Sequence, residues 1–161
     1  MNECVNNFGT VNILVNNVGI QPLSSYKNVE DTSEELWDSI LNVNLKSYFL
    51  MSKYSIPHMR KNNEGVIVNI ASVQGLQSMV LVPPYAASKG GVLSLTRQMS
   101  LDYAPEKIRV TAICPGTFNT PMVTNSISPD TDFDQELKVL VKRIQLEGLV
   151  SLKKLVMPFH F

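Results

Sequence analysis

Apolar residues in this chain fall into two alternating patterns, short β-branched runs and longer stretches with helical spacing. VNILVNN, Val11 to Asn17, is closed by Gly19 and Pro22 and predicts a strand. The stretch DTSEELWDSILNVNLKSYFLMSKYSIPHMRK predicts one long helix. Thr32 and Glu35 have capping-box spacing there. Leu36, Ile40, Val43, Ser47, Leu50, Met51 and Tyr54 recur at helical intervals, and Pro57 should kink or end the helix. GVIVNIAS, Gly65 to Ser72, predicts a second strand. Tyr85 to about Tyr103 predicts a second helix with Val92, Leu95, Met99 and Tyr103 inward, ended by Ala104-Pro105. KIRVTAICPG predicts a third strand, stopped by Pro115-Gly116. After a loop rich in Thr, Asn, Ser and Pro, a last helix is expected from Asp132 to Leu146.

Strands separated by helix-length segments imply right-handed crossovers and a parallel sheet flanked by helices. The expected fold class is therefore α/β, with residues 1–161 forming a single domain. Ligands of such sheets lie beyond the carboxyl ends of the strands. Asn16 to Gly19, Ser72, and Pro115 to Thr120 all fall at those ends.

Composition narrows the function. The net charge is zero and 17% of residues are charged, so no basic stripe or acidic run points to nucleic acid or an anionic membrane. The apolar runs are too short to span a bilayer. MNECVNNFG lacks the basic and apolar regions of a signal peptide. Cys4 and Cys114 lie far apart without metal-ligand spacing, so no metal site is expected and a reducing, cytoplasmic setting is. His58, near a helix end, and His160, next to last, read as incidental.

The stretch PPYAASKGG places Tyr85 and Lys89 four residues apart, one above the other on a helix. Hydride transfer between a nicotinamide and a carbonyl requires a proton for the carbonyl oxygen. A phenol can supply it, but its pKa of ~10 is too high for good exchange near neutrality. A nearby cation favours the phenolate, and Lys89 is placed to act on Tyr85 directly or through a cofactor hydroxyl. Ser72, a hydroxyl at a strand end, suits holding the substrate oxygen. The spacing itself is not distinctive: Tyr103 and Lys107 repeat it, but bracket the Ala104-Pro105 helix break. Each residue also has a plain reading. Tyr85 and Lys89 are then exposed helix residues, and Asn44 a buried residue that needs only a hydrogen bond. Ser72 and Thr120 are turn residues, and Pro115-Gly116 is punctuation.

In one order, NILVNNVG, Asn44 within the long helix, VNIAS, YAASKGG and ICPGTFNTPM resemble the short-chain dehydrogenase/reductase family over roughly Phe8 to Met122. The resemblance implies a Rossmann-like, doubly wound parallel sheet and an oxidoreductase of alcohols and ketones that uses NAD or NADP. It implies that Tyr85 is the general acid/base. Lys89 would bind the nicotinamide ribose and lower the tyrosine pKa, Ser72 would orient the substrate oxygen, and Asn44 would hold a water in the proton relay. It further assigns Asn17 and Gly19 to backbone approach beside the cofactor, and Pro115, Gly116, Phe118 and Thr120 to the cradle of the nicotinamide amide. A homo-oligomer through Leu36 to Tyr54 and Val92 to Tyr103 is implied as well.

The chain departs from that family pattern at both ends. Family members begin with a strand, a glycine-rich turn and a helix that admits the cofactor pyrophosphate. No G-x-G-x-x-G precedes Gly19, and MNECVNNFG matches the end of the third crossover helix. GLVSLKKLVMPFHF stands where an acidic-Gly-Gly segment would close the fold. Val18 and Thr111 replace the usual alanine and asparagine. The expected fold is thus a partial sheet that lacks the N-terminal glycine-rich βαβ half, with weakened cofactor binding. ILVNN should form an uncovered apolar edge that favours association. Two functions stay open. One is a hydride-transferring oxidoreductase, or a fragment of one, acting on a small-molecule alcohol or ketone with no nucleic acid or membrane partner. The other is a catalytically inactive truncated relative serving as an interaction module.

Overall fold

A computed structural model of the chain describes residues 1–116. The helix expected at Asp132 to Leu146, Phe118, Thr120 and the chain's last residues lie outside them. Helix α1 (Asn2–Phe8) leads to strand β1 (Ile13–Asn16). Helix α2 (Glu34–Leu41), a π-turn (Asn42–Lys46) and helix α3 (Ser47–Lys61) follow as one continuous rod. Strand β2 (Gly65–Ile70), helix α4 (Pro83–Tyr103) and strand β3 (Ile108–Ile113) complete the described part. The three strands are parallel in the order β1-β2-β3, with Asn16 paired to Asn69 and Asn69 to Ala112.

Alternation along the strands decides where the core sits. Leu14, Ile67, Ile108 and Val110 face one side and pack with Ile56 and Met59 of α3 and Met99 of α4. Ile13 and Val15 point the other way and are 65% and 55% exposed. Both crossover helices therefore cover a single face, which is one half of a doubly wound sheet. The inward stripe expected of α4 holds: Val92 and Met99 are buried, and Leu95 and Tyr103 pack against the core from partly buried positions. No helix among the described residues is long and apolar enough to cross a membrane.

The α2–α3 rod differs from expectation in three ways. Its N-cap is Ser33, whose hydroxyl accepts from Leu36 N at 3.3 Å; the Thr32 hydroxyl is already bonded to Asn28 O. Pro57 does not end the helix, which continues to Lys61. Pro57 is exposed, so the carbonyl it leaves without an N–H partner lies on the side that water can reach. The π-turn also changes the buried face. Ile40, Asn44, Tyr48 and Ser52 are buried at intervals of four, while Met51 and Tyr54, which belong to the helical repeat read from the sequence, are exposed. On a regular α-helix those three steps would drift about 120° around the axis, and one extra residue in a turn returns about 100° of it.

A buried polar chain links the layers beneath the strand ends. Asn16 Nδ2 donates to Asn69 Oδ1 at 2.8 Å and to Ser52 Oγ at 3.4 Å, and Asn69 Nδ2 donates to Thr96 Oγ1 at 2.9 Å. It ties β1 and β2 to α3 and α4 just below the candidate site. Tyr103 and Lys107 do not form a second helical pair: Lys107 lies beyond the helix in the left-handed region, at φ 57°.

Candidate active site

The carboxyl end of β2 and the first turns of α4 meet the π-turn, and four chemically active side chains converge there. Helix α4 opens with Pro83-Pro84, where missing N–H groups cost nothing. Its first two turns carry Tyr85 and Lys89 inward, 8% and 3% exposed. These are not the exposed helix residues of the plain reading. Ser72 follows β2 in extended geometry, and its hydroxyl accepts from Gln74 N at 3.1 Å. That leaves its proton to donate, and its hydrogen bond to the Tyr85 phenol favours the phenolate.

Gly75 fixes how closely this segment approaches α4. A Cβ there would stand 2.8 Å from the Lys89 carbonyl carbon and oxygen, so the 3₁₀ turn after Ser72 can lie on the helix only with glycine at this position.

Lys89 Nζ donates to the Ile70 carbonyl at 2.7 Å and lies 5.8 Å from the centre of the Tyr85 ring. Burial lowers its pKa to about 8, while Cys114 acts weakly the other way. Tyr85 departs from the expected depression. Burial, helped by Tyr26, raises its pKa; Ser72 pulls it down, and Lys89 is not among the groups that shift it. The ammonium points to a backbone carbonyl of β2, which explains why proximity in sequence does not become a strong charge effect on the phenol.

Asn44 is fully buried in the π-turn. Its Oδ1 accepts from Ile20 N at 2.7 Å, and its Nδ2 donates to Ile20 O at 2.9 Å and to Ser88 Oγ at 3.2 Å. Ser88 in turn donates to Tyr85 O at 2.7 Å. Asn44 thus clamps the loop after β1 onto α4, with both amide hydrogens committed and one Oδ1 lone pair left. The clamp brings Gly19 over the site: a Cβ on Gly19 would lie 3.4 Å from Lys89 Nζ and 3.5 Å from Asn44 Oδ1. Pro115 is joined to the site through its carbonyl, which accepts from Val73 N at 3.1 Å, and Gly116 follows it. Asn17 is exposed, and its side chain makes no hydrogen bond among the described residues.

Several contributors were not singled out by the sequence. Tyr48 is 1% exposed and donates to Ile70 O at 3.1 Å, and burial together with Tyr85 raises its pKa to about 12. Its place four residues after Asn44 was the available signal. Cys114 takes the Ser72 backbone N–H, and burial raises its pKa. At the start of α4, a recess of about 350 Å³ is lined by Asn28, Val29, Met79, Val82, Pro83 and Ala86; Tyr85 is not among its walls. Leu81, at its edge, holds φ 62°, a strained value for a branched side chain.

The family model described as short chain dehydrogenase matches residues 1–131. An uncharacterized oxidoreductase of Thermotoga maritima is 40% identical over 147 residues, 91% of this chain and 57% of that protein. A D-beta-hydroxybutyrate dehydrogenase of Rhizobium meliloti is 42% identical over 123 residues, 76% of this chain and 46% of that protein. A crystal structure assigned as a short-chain dehydrogenase/reductase of Burkholderia xenovorans superposes with a TM-score of 0.82 at 34% identity, covering 92% of this chain and 56% of that one. The chain therefore spans about half the length of the curated relatives it matches.

Proposed function

Because the chain belongs to the short-chain dehydrogenase family, we propose that it carries the proton-transfer half of a nicotinamide-dependent alcohol/ketone oxidoreductase site. The observation that carries this reading is the burial of Ser72, Tyr85, Lys89 and Asn44 together at the carboxyl end of β2, where Ser72 acts on the Tyr85 phenol. Two hydroxyls so placed bind one carbonyl oxygen between them. Ser72 orients it, and Tyr85 gives the proton during reduction or takes it during oxidation.

A nicotinamide cofactor, when bound, supplies or accepts the hydride. The residues present fit its ribose end. Gly19 leaves open the space a Cβ would fill above Lys89 Nζ, and an ammonium suits ribose hydroxyls. Pro115 and Gly116 border the same corner and are proposed, with Phe118 and Thr120 beyond the described residues, to hold the nicotinamide amide. Asn17 is assigned to the backbone approach beside the cofactor. Lys89 holds positive charge near the phenol and lowers its pKa when a ribose hydroxyl connects the two. Asn44 keeps Gly19 and α4 in register. Its relay role rests on the one lone pair its amide retains. The substrate's remaining groups occupy the recess beside Ala86, whose mostly apolar side chains suit an alcohol or ketone with an aliphatic body.

We also propose a homo-oligomer through the long helices. Phe49, Met51, Tyr54 and Leu101 are exposed by 42–55%, and a groove of about 400 Å³ runs between α3 and α4. Sedimentation of the wild type against Phe49→Lys tests it; equal molecular masses at monomer size would remove it.

Fluorescence titration with NADH and NADPH tests the main reading. Saturable micromolar binding with carbonyl-dependent oxidation supports it. No binding and no turnover would favour the alternative, an inactive relative acting as an interaction module.

A further inference from the structure

Tyr48 occupies the centre of the site, and the proposed reaction gives it no task. Its hydroxyl and the Lys89 ammonium meet on one acceptor, the Ile70 carbonyl, at 3.1 Å and 2.7 Å. A carbonyl oxygen has two lone pairs and can serve both donors. Lys89 Nζ lies 5.5 Å from the centre of the Tyr48 ring and 5.8 Å from that of Tyr85. Both distances are within cation–π range. Among the described residues the salt bridge is Arg60–Glu106, and no carboxylate pairs with Lys89. A cation buried without a counter-ion depends on oriented dipoles and aromatic faces for its charge.

We propose that Tyr48 is a positioning residue for Lys89: the face of its ring, packed between Ala71 and Val92, sustains the buried ammonium. The consequence for catalysis rests on the hydride-transfer reading, but the geometry does not. If Tyr48 only filled space between Ala71 and Val92, changing it would alter stability and leave Lys89 as it is.

The titratable groups around Lys89 are few. Tyr85 shares its helix, Tyr48 faces it from α3, and Cys114 faces it from the end of β3. β2 presents a carbonyl, and the loop at Gly19 presents backbone. Tyr48, Tyr85 and Cys114 all have raised pKa values, whereas Lys89 is lowered to about 8. Lys89 is therefore the member of this cluster that titrates near neutrality, where loss of one stabilising contact is visible.

The test is NMR titration of the lysine ¹³Cε signals in the intact chain, with Lys89 assigned by Lys89→Met. Tyr48→Phe keeps the ring and should keep the wild-type midpoint. Tyr48→pentafluorophenylalanine keeps the shape but inverts the ring's electrostatics, and should lower the midpoint by about half a unit to one unit. Tyr48→Leu should do the same if it folds. Equal midpoints in wild type and the fluorinated variant would overturn the proposal, as would an equal fall in Tyr48→Phe. A shifted midpoint in a chain without turnover would retain the role of Tyr48 and remove the oxidoreductase reading. Turnover with an unshifted midpoint would do the reverse.

Discussion

Asn16 and Asn69 stand directly opposite each other on β1 and β2 and bond side chain to side chain at 2.8 Å. Both are buried, and Asn69 extends the chain to Thr96. Asn69→Leu removes one acceptor and one donor and leaves Asn16 and Thr96 facing an apolar group. The expected loss is about 2–4 kcal/mol in urea unfolding. The pair Asn16→Ala with Asn69→Ala should cost less than the sum of the single changes.

Tyr85→Phe keeps the ring and removes the proton. On the proposed mechanism, kcat falls by about 10²-fold or more with little change in KM or thermal stability. Steady-state assays over a carbonyl panel measure this. Equal turnover by both proteins would take Tyr85 out of the chemistry.

Lys89 makes stability depend on pH in a definite direction. Its pKa is lowered from 10.5 to about 8 in the fold, so the unfolded chain binds more protons across that window. The contribution of Lys89 therefore rises with pH through the window and is lost as pH falls through its folded value. Cys114, Tyr48 and Tyr85, with raised values, act in the opposite sense only above their ordinary values of 9.0 and 10.0. From about pH 7 to about pH 9, the wild type should gain about 1 kcal/mol relative to Lys89→Met. Parallel denaturation curves at the two pH values check the difference.

Gly75→Ala places a methyl group 2.8 Å from the Lys89 backbone. The turn after Ser72 must then move off α4. A loss of about 1–3 kcal/mol is expected, with a greater fall in kcat than in stability-matched surface variants, because Ser72 moves with the turn.

Ile13 and Val15 are exposed side by side on the sheet face away from α3 and α4. Replacing both with lysine should reduce self-association in light scattering and change unfolding stability by no more than about 0.5 kcal/mol. Unchanged association would place the adhesive surface elsewhere.

Much of this was legible in the sequence because its signals are local. β-branched runs at Ile13–Asn16, Gly65–Ile70 and Ile108–Ile113 became strands within a few residues of the expected ends. Tyr85, Lys89, Ser72 and Asn44 do gather in one place. What escaped depends on three-dimensional encounters. Ser33 displaced Thr32 as the cap because Thr32 already had a partner in Asn28. The depressed pKa belongs to Lys89 and not to Tyr85, because burial acts on both and the ammonium turns to Ile70. Tyr48 carries no motif; its importance comes from an ammonium on another element.

The π-turn at Asn42–Lys46 makes the α2–α3 rod behave as two rods joined at a fixed angular offset. A helical wheel drawn through the whole rod assigns its two ends to different sides, although Ile40 and Ser52 at those ends are both buried. Rewinding that joint as regular α-helix, with no residue removed, would swing the downstream segment about 100°. Tyr48 would leave the lysine it faces, and Ser52 would leave the paired asparagines, with no substitution made at either position.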